Sequence, residues 1–123
     1  MATVRYLVHD VAAATAFYVG QLGFDLVQSY GPAMAIVRRS ELSLWLAGPQ
    51  ASASRPMPDG RRPSPGGWNR IVVETDDLPG LVAALKATGV AFRNEIVTGP
   101  GGRQILVEDP SGNVVELFEA APA

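Results

Sequence analysis

The chain has 123 residues, of which 47% are hydrophobic and 18% charged, enough for one compact domain with a real core and short for two independent ones. Its formal net charge of -2 supplies no electrostatic footprint for nucleic acid, and Arg38-Arg39 and Arg61-Arg62 read as solvated charges rather than a basic patch. The absence of cysteine excludes a disulfide framework, a thiolate metal site and a thiol nucleophile, while no signal-like start and no run near ~20 apolar residues occurs, so a cytoplasmic protein without a membrane partner is expected.

Val4 to Val8 reads as a strand with Thr3, Arg5 and Leu7 on one face and Val4, Tyr6 and Val8 on the other. His9-Asp10 ends it. His9, the single histidine, falls on the face opposite Thr3 at a strand end and reads as solvated or capping, which also leaves no Ser-His-Asp set. Asp10 is placed to cap a helix running to about Leu22, whose apolar stripe is Val11, Ala14, Phe17, Tyr18 and Leu22, and Gly23 is placed to stop it. Phe24 to Tyr30, Ala33 to Arg38 and Leu42 to Leu46 follow as three strands, separated by Gly31-Pro32 and Arg39-Ser40-Glu41. Ala47 to Gly67, rich in Pro, Gly, Ser and Arg, reads as a linker, a lid, or both.

From Asn69 the same order returns. Arg70 to Thr75 is a β-branched strand; Asp76 and Asp77 offer a cap; Leu78, Leu81, Val82 and Leu85 recur at helical spacing; Gly89 can stop the helix. Ala91 to Val97 and Arg103 to Glu108 are strand candidates joined by Gly99-Pro100-Gly101-Gly102, a hairpin turn with neither the helix start nor the Lys-Ser or Lys-Thr pair of a phosphate loop. Asp109 to Asn113 turns the chain into a last strand, Val114 to Glu119. The two halves overlay at one offset of about 66 residues, so the chain is a tandem βαβββ repeat. The expected fold class is α+β, a single domain over residues 1–123 with unit one about 1–47, the linker or lid about 48–68, and unit two about 69–119. Two helices, about 10–22 and 77–88, lie outside a curved mixed sheet. The units pack within one chain or swap between two.

These units, together with "FYVGQLGF" after the first cap and "DPSGNVVELFE" at the end, resemble the glyoxalase, bleomycin-resistance and extradiol dioxygenase superfamily, also called vicinal oxygen chelate proteins. The resemblance covers nearly the whole chain. It implies the fold, and it implies a homodimer, because the family usually pairs its cavities across chains. It leaves the activity open among lyases, isomerases, dioxygenases, antibiotic-modifying enzymes and drug binders.

Metal-dependent members of that family draw their ligands from the opening and closing strands of each unit. Carried over by distance from the helix caps and by the overlay of the repeats, those positions are Thr3, Arg70, Ser43 and Glu116. Only Glu116 is a competent divalent-metal ligand; Thr and Ser are weak neutral oxygens, and an arginine repels a cation. No cofactor is therefore expected, with a divalent metal as the alternative. By alternation Arg70 shares a face with Val72 and Glu74, Glu116 with Val114 and Phe118, and Ser43 with Trp45. Arg70 and Glu116 form a salt bridge, contact the ligand, or both. Trp45 and Trp68 are core residues or cavity walls, with Trp68 placed on the loop to close over a ligand, and Gln104 faces the pocket or solvent.

The expectation is a small-molecule binder using Arg70, Glu116, Trp45, Trp68, Gln104, Thr3, Arg5 and Ser43. The alternative is an enzyme of the same superfamily, either metal-dependent or with Glu116 as general base and Arg70 as oxyanion stabiliser.

Overall fold

The computed structural model describes residues 1–122. Two compact units are present: Met1–Gly66 with Pro110–Gly112, and Gly67–Asp109 with the chain from Asn113 onward.

In the first unit, β1 (Ala2–Leu7) leads into α1 (Val11–Leu22), followed by β2 (Asp25–Ser29), β3 (Met34–Arg39) and β4 (Leu42–Ala47). The Asp10 side chain accepts the Ala13 backbone N–H at 3.1 Å, satisfying one of the orphan donors of the first turn. Gly23 then takes the left-handed conformation at φ 75° and donates to the Tyr18 carbonyl, which ends the helix as its sequence position requires. The sheet order is β1-β4-β3-β2, with β1 parallel to β4 and the other pairs antiparallel. Helix α1 packs on β2, β3 and β4. Its stripe Val11, Ala14, Phe17, Tyr18 and Leu22 is buried against Val37, Leu44 and Leu46. Tyr18 sits edge-on to both Phe17 and Phe24, with centroids 5.1 and 5.4 Å away, the geometry that opposed ring quadrupoles prefer.

The second unit repeats the plan with β5 (Ile71–Glu74), α2 (Leu78–Ala87), β6 (Val97–Gly99), β7 (Gly102–Glu108) and β8 (Val114–Ala120), in sheet order β5-β8-β7-β6. Asp77 caps α2 by accepting from Gly80 N at 3.0 Å, and Glu119 Oε1 reaches the Leu78 N–H at 2.7 Å. Ile71, Val73, Ile105, Val107, Val115 and Leu117 are buried, as are Leu78, Val82 and Leu85 of α2. The turn into β8 is tied by its own ends: Asp109 is buried and accepts both the backbone and the amide N–H of Asn113, at 2.9 and 3.0 Å. Both units are thus mixed four-stranded sheets with one helix each, an α+β architecture.

One sequence expectation needs correction here. The strand expected over Ala91 to Val97 shrinks to Val97–Gly99, with Phe92 making only an isolated bridge to Val107. The cause is Asn94, whose side-chain carbonyl takes the Leu106 N–H at 2.9 Å in place of a main-chain acceptor and so interrupts the ladder. The segment read as a linker, a lid, or both has local structure: Ser52–Ser54 is a 3-10 turn, Ser54 Oγ donates to the Gly48 carbonyl at 2.7 Å, and Met57 N donates to the Arg61 carbonyl at 2.8 Å. No helix of the described residues is long and apolar enough to cross a membrane.

Candidate functional site

In each unit the helix packs on one face of the sheet, and the candidate site residues lie on the other. Residues opposed in the ladders share a face. In the first sheet Thr3 opposes Ser43, which opposes Arg38, and Arg5 opposes Trp45, which opposes Ile36. Those residues form the face away from α1, as alternation predicts. The turn between β2 and β3 (Tyr30, Ala33) and the segment Gln50 to Ser52 after β4 rise beside that face, and with Arg5, Met34, Ile36 and Trp45 they line a cavity of about 470 Å³. Its lining is mainly apolar. The Arg5 guanidinium carbon lies 5.0 Å from the Trp45 ring centroid, a stacking distance for a cation on an indole. Tyr30 and Met34 were not expected here; an aromatic immediately before Gly31-Pro32 is the sequence signal that points to a side chain held at a turn.

In the second sheet Val72 opposes Glu116, which opposes Leu106, and Glu74 opposes Phe118, which opposes Gln104. Gln104 therefore stands on the same face as Glu116, the side favoured by alternation, and is half-buried. Just before β5, Arg70 turns its guanidinium onto Glu116, with Nε and one terminal nitrogen each 3.0 Å from Oε1. The side chains are 30% and 11% exposed, so the carboxylate is the drier partner. Arg70 also reaches the Trp68 carbonyl at 3.4 Å.

Trp68 is 67% exposed and is not a core residue. It stacks on Arg93, whose guanidinium carbon lies 4.5 Å from the ring centroid, and Arg93 is itself held by Glu108 Oε2 at 2.8 Å and by the Gly67 carbonyl at 2.7 Å. The indole is thereby presented to solvent on a fixed cationic support. Sequence reading missed Arg93 and Glu108. Glu108 sits opposite Val114, the near end of the strand that carries Glu116, and that spacing was the available hint.

The ladders also shift the correspondence between the repeats. Thr3 and Arg70 each stand seven residues before their helix cap, yet Ser43 opposes Thr3 whereas Glu116 opposes Val72, two residues beyond Arg70. By register the counterpart of Glu116 is Trp45, not Ser43. Gly89 follows Gly23 by 66 residues, but Glu116 follows Trp45 by 71, so the expected constant offset widens along the strands.

The donor set does not fit a divalent cation in either register. The first unit offers hydroxyls at Thr3 and Ser43 or an indole at Trp45, and in the second a guanidinium already occupies Glu116 Oε1. Among the described residues no three His, Cys, Asp or Glu side chains gather into a metal-holding group. His9 is exposed, and its backbone N–H donates to Ser111 Oγ at 2.8 Å. Both guanidinium donors converge on Oε1 of Glu116, so Oε2 stands outside that pair.

Comparison with known proteins bears on the fold and the family. No curated protein sequence matches the chain. A glyoxalase/bleomycin resistance protein/dioxygenase superfamily member from Sphaerobacter thermophilus DSM 20745 is 30% identical, with a TM-score of 0.74 over 95% of this chain and 94% of its own. TnmS3, an antibiotic binding protein from Streptomyces sp. CB03234, is 29% identical with a TM-score of 0.71, over 97% and 93%. Lactoylglutathione lyase from Agrobacterium tumefaciens shares the fold, with a TM-score of 0.76 over 97% and 92%, at 22% identity. The family model described as the Glyoxalase/Bleomycin resistance protein/Dioxygenase superfamily matches residues 1–117, and the chain belongs to that superfamily.

Proposed function

We propose that the protein binds a small organic molecule in a cavity over its sheet and does so without a catalytic metal. The observation that carries this reading is the cavity of about 470 Å³ over the first sheet, whose aromatic and aliphatic lining and few polar groups match what a preformed ligand site needs. The likeness to an antibiotic binding protein at 29% identity supports it. The Arg70–Glu116 pair supports the metal-free part, since the guanidinium supplies positive charge at a position where metal-dependent relatives place a ligand.

The test has two arms. Elemental analysis after exhaustive dialysis should find less than stoichiometric divalent metal; one metal per chain, lost on Glu116→Ala, refutes the metal-free reading. Titration with a panel of aromatic antibiotics, followed by tryptophan fluorescence, should find at least one saturable ligand, and a Trp45→Leu variant should weaken it. A panel without any saturable binder refutes the binding reading.

The proposal includes a cytoplasmic homodimer. Every residue of the edge strand β2 is exposed, Leu26 and Val27 at 50% and 53%, and apolar surface of this kind is usually covered by another chain. Light scattering should give about twice the 13.0 kDa chain mass at micromolar concentration, and a monomer mass refutes the dimer.

A further inference from the structure

Four arginines of this protein are held in ion pairs with carboxylates. Among the described residues Arg61 pairs with Asp59, Arg70 with Glu116, Arg93 with Glu108 and Arg103 with Glu119. Arg5 is different. Among the described residues no ion pair joins it to a carboxylate; it lies over the Trp45 ring and helps line the cavity over the first sheet. The rest of that lining is Tyr30, Ala33, Met34, Ile36 and Ala51, with Gln50 and Ser52 as the neutral polar groups, so no acidic side chain is present to neutralise the guanidinium.

A solvent-exposed guanidinium beside an apolar cavity can exchange its water for the anionic group of a ligand. Stacking on Trp45 fixes the plane of the guanidinium and leaves its edge, where the N–H donors lie, available for a bidentate partner. The apolar walls meanwhile favour a flat hydrophobic body, for which Trp45 and Tyr30 provide rings. Sequence reading gave Arg70 a salt bridge with Glu116, a ligand contact, or both; the structure shows the salt bridge, whereas Arg5 has only the Trp45 ring beside it among the contacts of the described residues.

We propose that the ligand is an amphipathic organic anion, an aromatic body carrying a carboxylate or phenolate, whose charge is taken by Arg5 while its rings enter the cavity beside Trp45 and Tyr30. The proposal rests on the small-molecule-binding reading above and narrows it to a charge class.

A matched pair of probes separates the two. 2-Naphthoate and the neutral 2-naphthamide have nearly the same shape, and both fit a cavity of this volume. Isothermal titration calorimetry of the full chain should find naphthoate bound at least about tenfold more tightly than the amide, since each tenfold corresponds to one charge-assisted contact of ordinary strength. Arg5→Gln should remove that preference by weakening naphthoate while leaving the amide unchanged, and thermal melts should show the variant folded, because Arg5 is exposed. Raising salt should weaken naphthoate more than the amide. Equal affinity for the two probes, or a preference that survives Arg5→Gln, overturns the anion assignment and leaves the binding reading intact. Failure of both probes to bind at millimolar concentration, with the antibiotic panel also silent, overturns the two together; if the panel binds and neither probe does, the anion assignment alone falls.

Discussion

The Arg70–Glu116 pair offers an asymmetry that can be calculated and tested. Removing one partner of a fully buried ion pair costs about 3 to 5 kcal/mol, and breaking an exposed pair costs about 0.2 to 1 kcal/mol. Here the two ends differ: the Glu116 side chain is 11% exposed and the Arg70 side chain 30%. Arg70→Ala strands a nearly dry carboxylate, for which an intermediate loss of about 2 kcal/mol is expected, discounted from the buried limit because water reaches the arginine side. Glu116→Gln keeps volume and an acceptor while leaving an arginine that can rehydrate, so its loss should stay near or below about 1 kcal/mol. The double change Arg70→Met with Glu116→Leu removes both charges at similar volume and should return to within about 1 kcal/mol of wild type. For a chain of this size, 1 kcal/mol moves Tm by roughly 3 to 5 °C, so Arg70→Ala should melt about 6 to 10 °C lower. Urea titrations followed together by circular dichroism and tryptophan fluorescence would test two-state behaviour and supply the free energies. The reasoning fails if Glu116→Gln costs as much as Arg70→Ala, or if the double variant is no more stable than Arg70→Ala.

Other outcomes follow from single contacts. The Leu78 backbone N–H, then the Arg103 guanidinium, hold the Glu119 carboxyl below the ordinary glutamate pKa. A depressed folded-state pKa stabilises above the unfolded value, and that contribution is lost as pH falls through the folded one. Melts of wild type and Glu119→Gln should therefore differ most near neutrality and converge in acid; a gap that widens in acid contradicts the assignment. Arg93→Ala removes the support of Trp68 together with two charge-assisted bonds, so it should lower stability by about 1 to 2 kcal/mol and reduce the fluorescence anisotropy of Trp68, measured in a Trp45→Phe background. Unchanged anisotropy would mean that the indole is held by something else.

Features coded within one turn of chain were legible before the fold was known. Asp10 and Asp77 cap, Gly23 and Gly89 stop, and the stripe from Val11 to Leu22 is buried, because each depends on neighbours three or four residues away. The placement of Thr3, Arg5, Ser43 and Trp45 on one face was legible for the same reason, since alternation is local. What escaped depends on partners chosen across the sheet. The two-residue slip that sets Glu116 against Trp45 arises from strand pairing, which no local pattern states. The early end of the strand after Ala91 arises from the Asn94 side chain competing for the Leu106 N–H. Which arginine is taken by a carboxylate is likewise a tertiary outcome; Arg5 lies on β1 and Arg70 just before β5, yet Arg70 lies beside Glu116 while Arg5 lies beside Trp45.

The strand order has a kinetic consequence. In each unit the strand reached last along the chain, β4 or β8, lies between the opening strand and the other two. Until it arrives, β1 and β5 have no partner in their sheets, and their parallel pairings close about 40 residues of chain at once. Hairpins β3–β4 and β7–β8 are the local contacts, cheap in loop entropy, and should form early; docking of β1 or β5 comes late and carries most of the contact order. Conservative truncations in β7 and β8 should therefore slow refolding, whereas Val4→Ala and Val73→Ala should chiefly speed unfolding. The opening strands, which bring Arg5 and Arg70 to their faces, would then be the last pieces seated, so each candidate site is completed only when its sheet is.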